Sequence, residues 1–251
     1  MSKTLIALDF DGVVCESGRE LALSAWKAAR ELWPRFKQKG GLPSDDEIKN
    51  FLAVRPCLHY GYDGVLLWYL LESMEVETIQ QNYETLRVQT LSELSQNVEL
   101  IHDTLAKTRL SWIEDDLSGW IAEHGFYAGV IETVSEWMHQ DELVVAIVTA
   151  KEAHLADHLL RAQGLEIPSD LLFGYGSGTK QETLLKLIDI FSPEKIIFVE
   201  DRLRTLSKTK ETEGLAGVEL YLATWGYVEP SLETPEYVTS IELSGFSGIL
   251  G

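Results

Sequence analysis

"TLIALDFDGVV", residues 4–14, decides the fold: an apolar run ends on two aspartates one residue apart, Asp9 and Asp11, with Gly12 directly behind them. A run without polar alternation is what a strand buried on both faces requires, as in a parallel sheet covered by helices. Polar residues at the end of such a strand fall where open parallel sheets bind their ligands, just beyond the carboxyl edge. The runs "LVVAIVT" (143–149), "KIIFVED" (195–201) and "VELYLAT" (218–224) have the same character, "DLLFGYG" (170–176) is a weaker fifth, and 237–242 is a short candidate. Helical patterns fill the intervals at 130–140, 152–163, 180–191 and 203–213. Strands that alternate with helices predict an α/β core with a doubly wound, Rossmann-like parallel sheet.

Residues 17–124 break that alternation, with no convincing strand and abundant helical spacing. Ile79, Tyr83 and Leu86 repeat at helical intervals, as do Leu94, Val98, Ile101 and Leu105, and "SDDE" at 44–47 reads as a capping box. The expected organisation is therefore a core of residues 1–16 and 125–251 with an all-helical domain, 17–124, inserted just after the first strand.

Composition narrows the function classes. The 251 residues carry a formal charge of −19, from 21 basic and 40 acidic side chains, a field that repels nucleic-acid backbones and anionic membrane surfaces. No apolar run approaches the roughly 18 residues that a bilayer span needs, and the first residues hold aspartates where a signal peptide holds its apolar stretch. Cys15 and Cys57 are the two cysteines, a count that fits a reduced cytosolic context and leaves one pairing open. A cytoplasmic protein that binds neither nucleic acid nor membrane is expected.

The chemistry is expected at the sheet edge. Asp9 and Asp11, Thr149, and Glu200 and Asp201 all end predicted strands, and Lys180 opens the helix after "GYGSGT". Carboxylates held together repel one another unless a cation joins them, and an all-oxygen site suits Mg²⁺ shared with a substrate phosphate. One carboxylate can then attack phosphorus while its neighbour exchanges a proton with the leaving oxygen and later with water.

Four motifs in this order, "LDFDGVV", "AIVTA", "GTK" and "FVEDRLRTL", resemble those of the haloacid dehalogenase superfamily of phosphohydrolases. The resemblance implies Asp9 as nucleophile and metal ligand, and Asp11 as general acid/base whose main-chain carbonyl also faces the metal. It further implies Thr149 as the hydroxyl that binds the phosphoryl group, Lys180 as the charge-balancing lysine and Asp201 as a metal-binding acid. The fourth motif departs from the common form: Glu200 stands in a glycine's place and Thr205 in a distal aspartate's, so Glu200 is a second candidate ligand beside Asp201. The spacing between the second and third motifs leaves room for one helix and a strand, so the helical insertion is the cap, a closing element that excludes water. "VRPCLHYGYDG" (54–64), "FYAG" (126–129) and "LYLATWGY" (220–227) are similar to stretches of one cap-bearing subgroup.

The implied activity is Mg²⁺-dependent hydrolysis of a small phosphorylated metabolite through an aspartyl-phosphate. A phosphomutase is a weaker enzymatic reading, and the altered fourth motif with the substantial cap leaves a non-catalytic binding or regulatory protein that keeps the fold as the rival; a dehalogenase fits less well, since carbon–halogen cleavage needs neither Mg²⁺ nor an acid at Asp11. Other readings stay structural. Thr149 and Glu152 suit a capping box, His59, Tyr60 and Tyr62 suit the cap core, and Arg202 and Arg204 suit neighbouring carboxylates. "GYGSG" has the wrong glycine spacing for a dinucleotide loop. Arg55, fixed before Pro56, is a candidate to grip a second anionic group of the substrate.

Overall fold

The computed structural model describes residues 3–94, 97–229 and 233–250. In chain order the elements begin with β1 (Thr4–Leu8), β2 (Cys15–Glu16), α1 (Gly18–Leu32), α2 (Pro34–Lys37), α3 (Asp45–Val54) and α4 (Asp63–Leu71). There follow α5 (Val76–Glu93), α6 (Val98–Asp115), α7 (Leu117–Ala122), β3 (Gly125–Phe126), α8 (Val130–Met138), β4 (Leu143–Val148) and α9 (Ala153–Ala162). The rest is β5 (Leu172–Phe173), α10 (Lys180–Phe191), β6 (Lys195–Glu200), α11 (Leu203–Glu211), β7 (Glu219–Ala223) and β8 (Val238–Ile241). Packing divides the chain into two compact units, Met1–Glu16 with Gly125–Gly251, and Ser17–His124.

In the first unit six strands form one parallel sheet in the order β5-β4-β1-β6-β7-β8. The first strand of the sequence is thus central, which is why "TLIAL" carries no polar residue past Thr4: Leu5, Ile6, Ala7 and Leu8 have no exposed surface. Leu5 and Ala7 join Leu184 and Leu187 of α10 and Leu203 and Leu206 of α11 in one apolar layer. Strand alternation turns Ile6 and Leu8 to the other face. β2 and β3 pair antiparallel, Cys15 opposite Phe126 and Glu16 opposite Gly125, at the two points where the chain leaves and re-enters this unit.

The second unit holds helices joined by short loops and no strand among its described residues. α1 buries Leu21 on the same side as Ala22, Ala25, Ala28 and Ala29, alanines whose small side chains let neighbouring helices approach closely. Trp26 meets Phe36 and Trp68 edge-on, with ring centroids 5.4 and 5.0 Å apart. Two buried acids are satisfied locally. Glu20 receives Arg109 Nε at 2.8 Å and Nη2 at 3.1 Å, Ser24 Oγ at 2.6 Å and Trp120 Nε1 at 3.1 Å. Asp63 receives Arg87 Nε at 2.9 Å and the amides of His59 and Tyr60 at 3.2 Å.

Three local expectations are corrected. "DLLFGYG" supplies only the two strand residues Leu172–Phe173: Gly174 next presses on the Lys151 carbonyl and the Ala153 amide, and Gly176 turns the chain at φ +89°. The spacing from Leu94 to Leu105 is not one helix; α5 ends at Glu93, and α6 starts anew with Asn97 accepting the Glu99 N–H. Ser95 and Gln96 between them lie outside the described residues. Tyr60 is 57% exposed rather than core, stacked on Tyr62 at 5.2 Å and 7°. The box at Ser44 and Glu47 forms as the sequence suggests. Both cysteines are buried thiols outside any disulfide.

Candidate active site

Register assembles the site. β1 pairs with β4 through Leu8 and Ile147, and with β6 through Leu8 and Val199, so the residues after all three strands share one edge. The Asp9 N–H continues the ladder to the Val199 carbonyl at 2.9 Å, which fixes Asp9 next to Glu200. Lys180 reaches both: its Nζ lies 2.7 Å from Asp9 Oδ1 and 2.6 Å from Glu200 Oε2. A capping box holds the base of that lysine. Thr179 Oγ1 accepts the Glu182 N–H, and Glu182 Oε2 accepts the Thr179 N–H at 2.7 Å, so Lys180 is the first residue of α10 with a fixed backbone.

Glu200 uses its second oxygen, Oε1, to accept the Arg202 N–H at 3.1 Å. Asp201 turns Oδ2 to the Tyr227 N–H at 2.7 Å. Asp9, Glu200 and Asp201 are all buried, and each offers a carboxylate oxygen within 4.8 Å of the other two. Burial, followed by the charge of Glu200, pushes the Asp9 carboxyl up to about 7 although Lys180 pulls it down. Burial raises Glu200 as well. Burial alone lowers a lysine, yet Asp9 and Glu200 together hold Lys180 above its ordinary value. Three buried carboxylates gathered within 4.8 Å, with one ammonium bridging two of them, form an all-oxygen acidic set that fits a hard divalent cation.

Asp11 is not part of that carboxylate group. Its Oδ1 lies 3.4 Å from the ammonium of Lys151, a residue that no sequence motif singled out. Thr149 is buried at the end of β4 and does not cap α9. Its Oγ1 accepts the Lys151 N–H at 3.1 Å instead, in a tight turn that delays the helix to Ala153, with Glu152 at the cap position and no side-chain cap. Its hydroxyl proton is left to donate.

A second segment missed as part of the site is Trp225-Gly226-Tyr227. Trp225 Nε1 donates to the Val13 carbonyl at 3.1 Å, and Gly226 lies so close that a Cβ there would stand 2.3 Å from the Gly12 carbonyl oxygen and 2.5 Å from Asp201 Cβ. Gly12 is equally confined: at φ +95°, a Cβ would lie 1.9 Å from Asp201 Oδ2. The glycines of "DFDGV" and "TWGY" were the available signal, since two bare backbones pressed on one carboxylate require them. Arg55 belongs to the helical unit, where it caps α3 and opens a 3₁₀ turn, Arg55–Cys57. Arg204 faces Glu229 at 3.6 Å. His59 Nε2 faces Glu84 Oε1 at 2.8 Å.

No family model matches the chain, and no curated protein sequence matches it. Solved structures do. A predicted phosphoglycolate phosphatase from Haemophilus somnus 129PT superposes with a TM-score of 0.63 at 15% identity, over 100% of this chain and 99% of that one. A haloacid dehalogenase-like family hydrolase from Streptococcus pneumoniae gives 0.56 at 14% identity over 99% of each chain. A haloacid dehalogenase-superfamily hydrolase of subfamily IA, variant 1, from Geobacter sulfurreducens gives 0.54 at 14% identity over 99% and 97%. At these identities the likeness establishes a shared fold.

Proposed function

We propose, from a fold held in common with haloacid dehalogenase-like hydrolases, that this chain is a phosphohydrolase that cleaves a small phosphorylated metabolite through a phosphoryl group carried on Asp9. The observation that carries the reading is the convergence of Asp9, Lys180, Glu200 and Asp201 on one sheet edge, in a buried charge set that needs a cation. Mg²⁺ bound by Asp9, Asp201 and the Asp11 carbonyl would neutralise phosphoryl charge. Asp201 is the better ligand, because Glu200 already has Lys180 on one oxygen and the Arg202 amide on the other. Glu200 then acts as the anchor of Lys180.

In this reading Asp9 attacks phosphorus and the bond to the leaving oxygen breaks as Asp11 gives that oxygen a proton. Water then attacks the aspartyl-phosphate, passes a proton back to Asp11, and frees Asp9 and inorganic phosphate. Lys180 and the Thr149 hydroxyl hold the phosphoryl oxygens. The helical unit serves as the cap, and Arg55 contributes a grip on a second anionic group of the substrate.

Asp9→Asn tests the reading. The expected result is loss of p-nitrophenyl phosphate hydrolysis with unchanged circular dichroism, and EDTA should likewise silence the unmodified protein until Mg²⁺ is restored. Retained turnover in the variant would remove Asp9 as the nucleophile.

A further inference from the structure

Lys151 is 7% exposed, and a lysine that deep is uncommon without a purpose for its charge. Three loops define its position. Its N–H donates to Thr149 Oγ1 at 3.1 Å, and its carbonyl accepts the Tyr175 N–H at 2.9 Å. Gly174 passes against the same carbonyl, where a Cβ would stand 2.5 Å from the oxygen. The backbone is therefore fixed between the ends of β4 and β5, and the stem runs inward to place Nζ 3.4 Å from Asp11 Oδ1. Asp11 itself follows β1 at a short remove and retains 22% side-chain exposure, open enough to meet a substrate.

We infer that Lys151 is a positioning residue that holds the Asp11 carboxyl in the orientation from which it exchanges protons with the leaving oxygen and with water. The chemistry of this role rests on the phosphohydrolase reading, the contact on geometry alone. Each lysine of the site thus answers a different acid, Lys180 pairing with Asp9 and Glu200, and Lys151 with Asp11. A short, partly exposed aspartate at a loop has several rotamers open to it. A buried ammonium on one side selects one of them, and proton transfer is steep in such geometry.

The test compares Lys151→Met, which keeps the stem and removes the charge, with Lys151→Arg, which restores a donor. With an alkyl phosphate, whose leaving oxygen must gain a proton as the P–O bond breaks, Lys151→Met should lower kcat by about tenfold to a hundredfold, a share of what a positioned acid contributes. KM should hold, and Lys151→Arg should recover part of the rate. With p-nitrophenyl phosphate, whose phenolate departs without a proton, the loss should be smaller. In an Asp11→Asn background Lys151→Met should add no further loss, because the lysine acts through Asp11. Equal losses with both substrates, or a full loss on top of Asp11→Asn, would overturn the inference. Should the unmodified protein turn over no phosphoester, the phosphohydrolase reading fails, and the inference is decided by crystal structures of the unmodified protein and Lys151→Met. Asp11 displaced in the variant supports it; Asp11 unmoved overturns it.

Discussion

At the scale of single residues, the site is a problem in charge. Asp9 folds with a carboxyl raised to about 7 because burial outweighs Lys180. Its folded value lies above its unfolded one, so folding takes up a proton. The contribution is complete below the unfolded value of roughly 4 and fades as pH rises through about 7. A metal must displace that proton. Mg²⁺ affinity, measured by isothermal titration at several pH values, should therefore climb up to about pH 7 and level off above it, with proton release that vanishes over the same range. Affinity that stays flat across the pH values on either side of that point would contradict an ionised Asp9 ligand. Gly12 and Gly226 are residue-scale features too. Gly12→Ala forces a positive-φ alanine, costing about 1–2 kcal/mol by handedness alone, and drives its methyl into Asp201. Weakened Mg²⁺ binding together with a lowered melting temperature is the expected outcome, read by titration and calorimetry.

At the scale of elements, each site residue is placed by where its strand or helix begins or ends. The N-terminal box of α10 is the clearest case, since Thr179 and Glu182 exchange hydrogen bonds and so set the first turn from which Lys180 departs. Thr179→Ala should cost about 1 kcal/mol of stability and reduce kcat more than KM, because the lysine's root loosens while its ammonium is kept; chemical denaturation and steady-state kinetics check both. The sequence carried this box in plain sight as "TKQE". It carried no comparable sign that Thr149 would forgo Glu152 and accept from Lys151, because a capping box and a tight turn use the same residue types. Period decided the long strands well, whereas β5 shrank to two residues where Gly174 and Gly176 carry the chain out of a ladder that hydropathy alone extends.

At the scale of the whole molecule, the chain holds two compact units with separate apolar cores. The helical one is fastened by buried ion pairs rather than by aliphatic packing alone. Glu20→Ala takes from Arg109 and Trp120 the carboxylate they share, a change worth about 3–5 kcal/mol for a broken buried pair. Five of the seven tryptophans lie between residues 17 and 124, so denaturant unfolding followed by tryptophan emission should show the loss chiefly in the helical unit's transition. An unshifted midpoint would mean that the Glu20 cluster is not a fastening. By itself the sequence determined the α/β class, the strand and helix order of the core, the all-helical segment and the acidic sheet edge, since those follow from hydropathic period and from side-chain type, which are local. Only the tertiary structure decided that Lys151 faces Asp11, that Tyr227 and Gly226 close on Asp201, and that Glu200 is taken by Lys180. Those contacts join residues far apart in the chain, and a through-space distance leaves no periodic trace in a sequence.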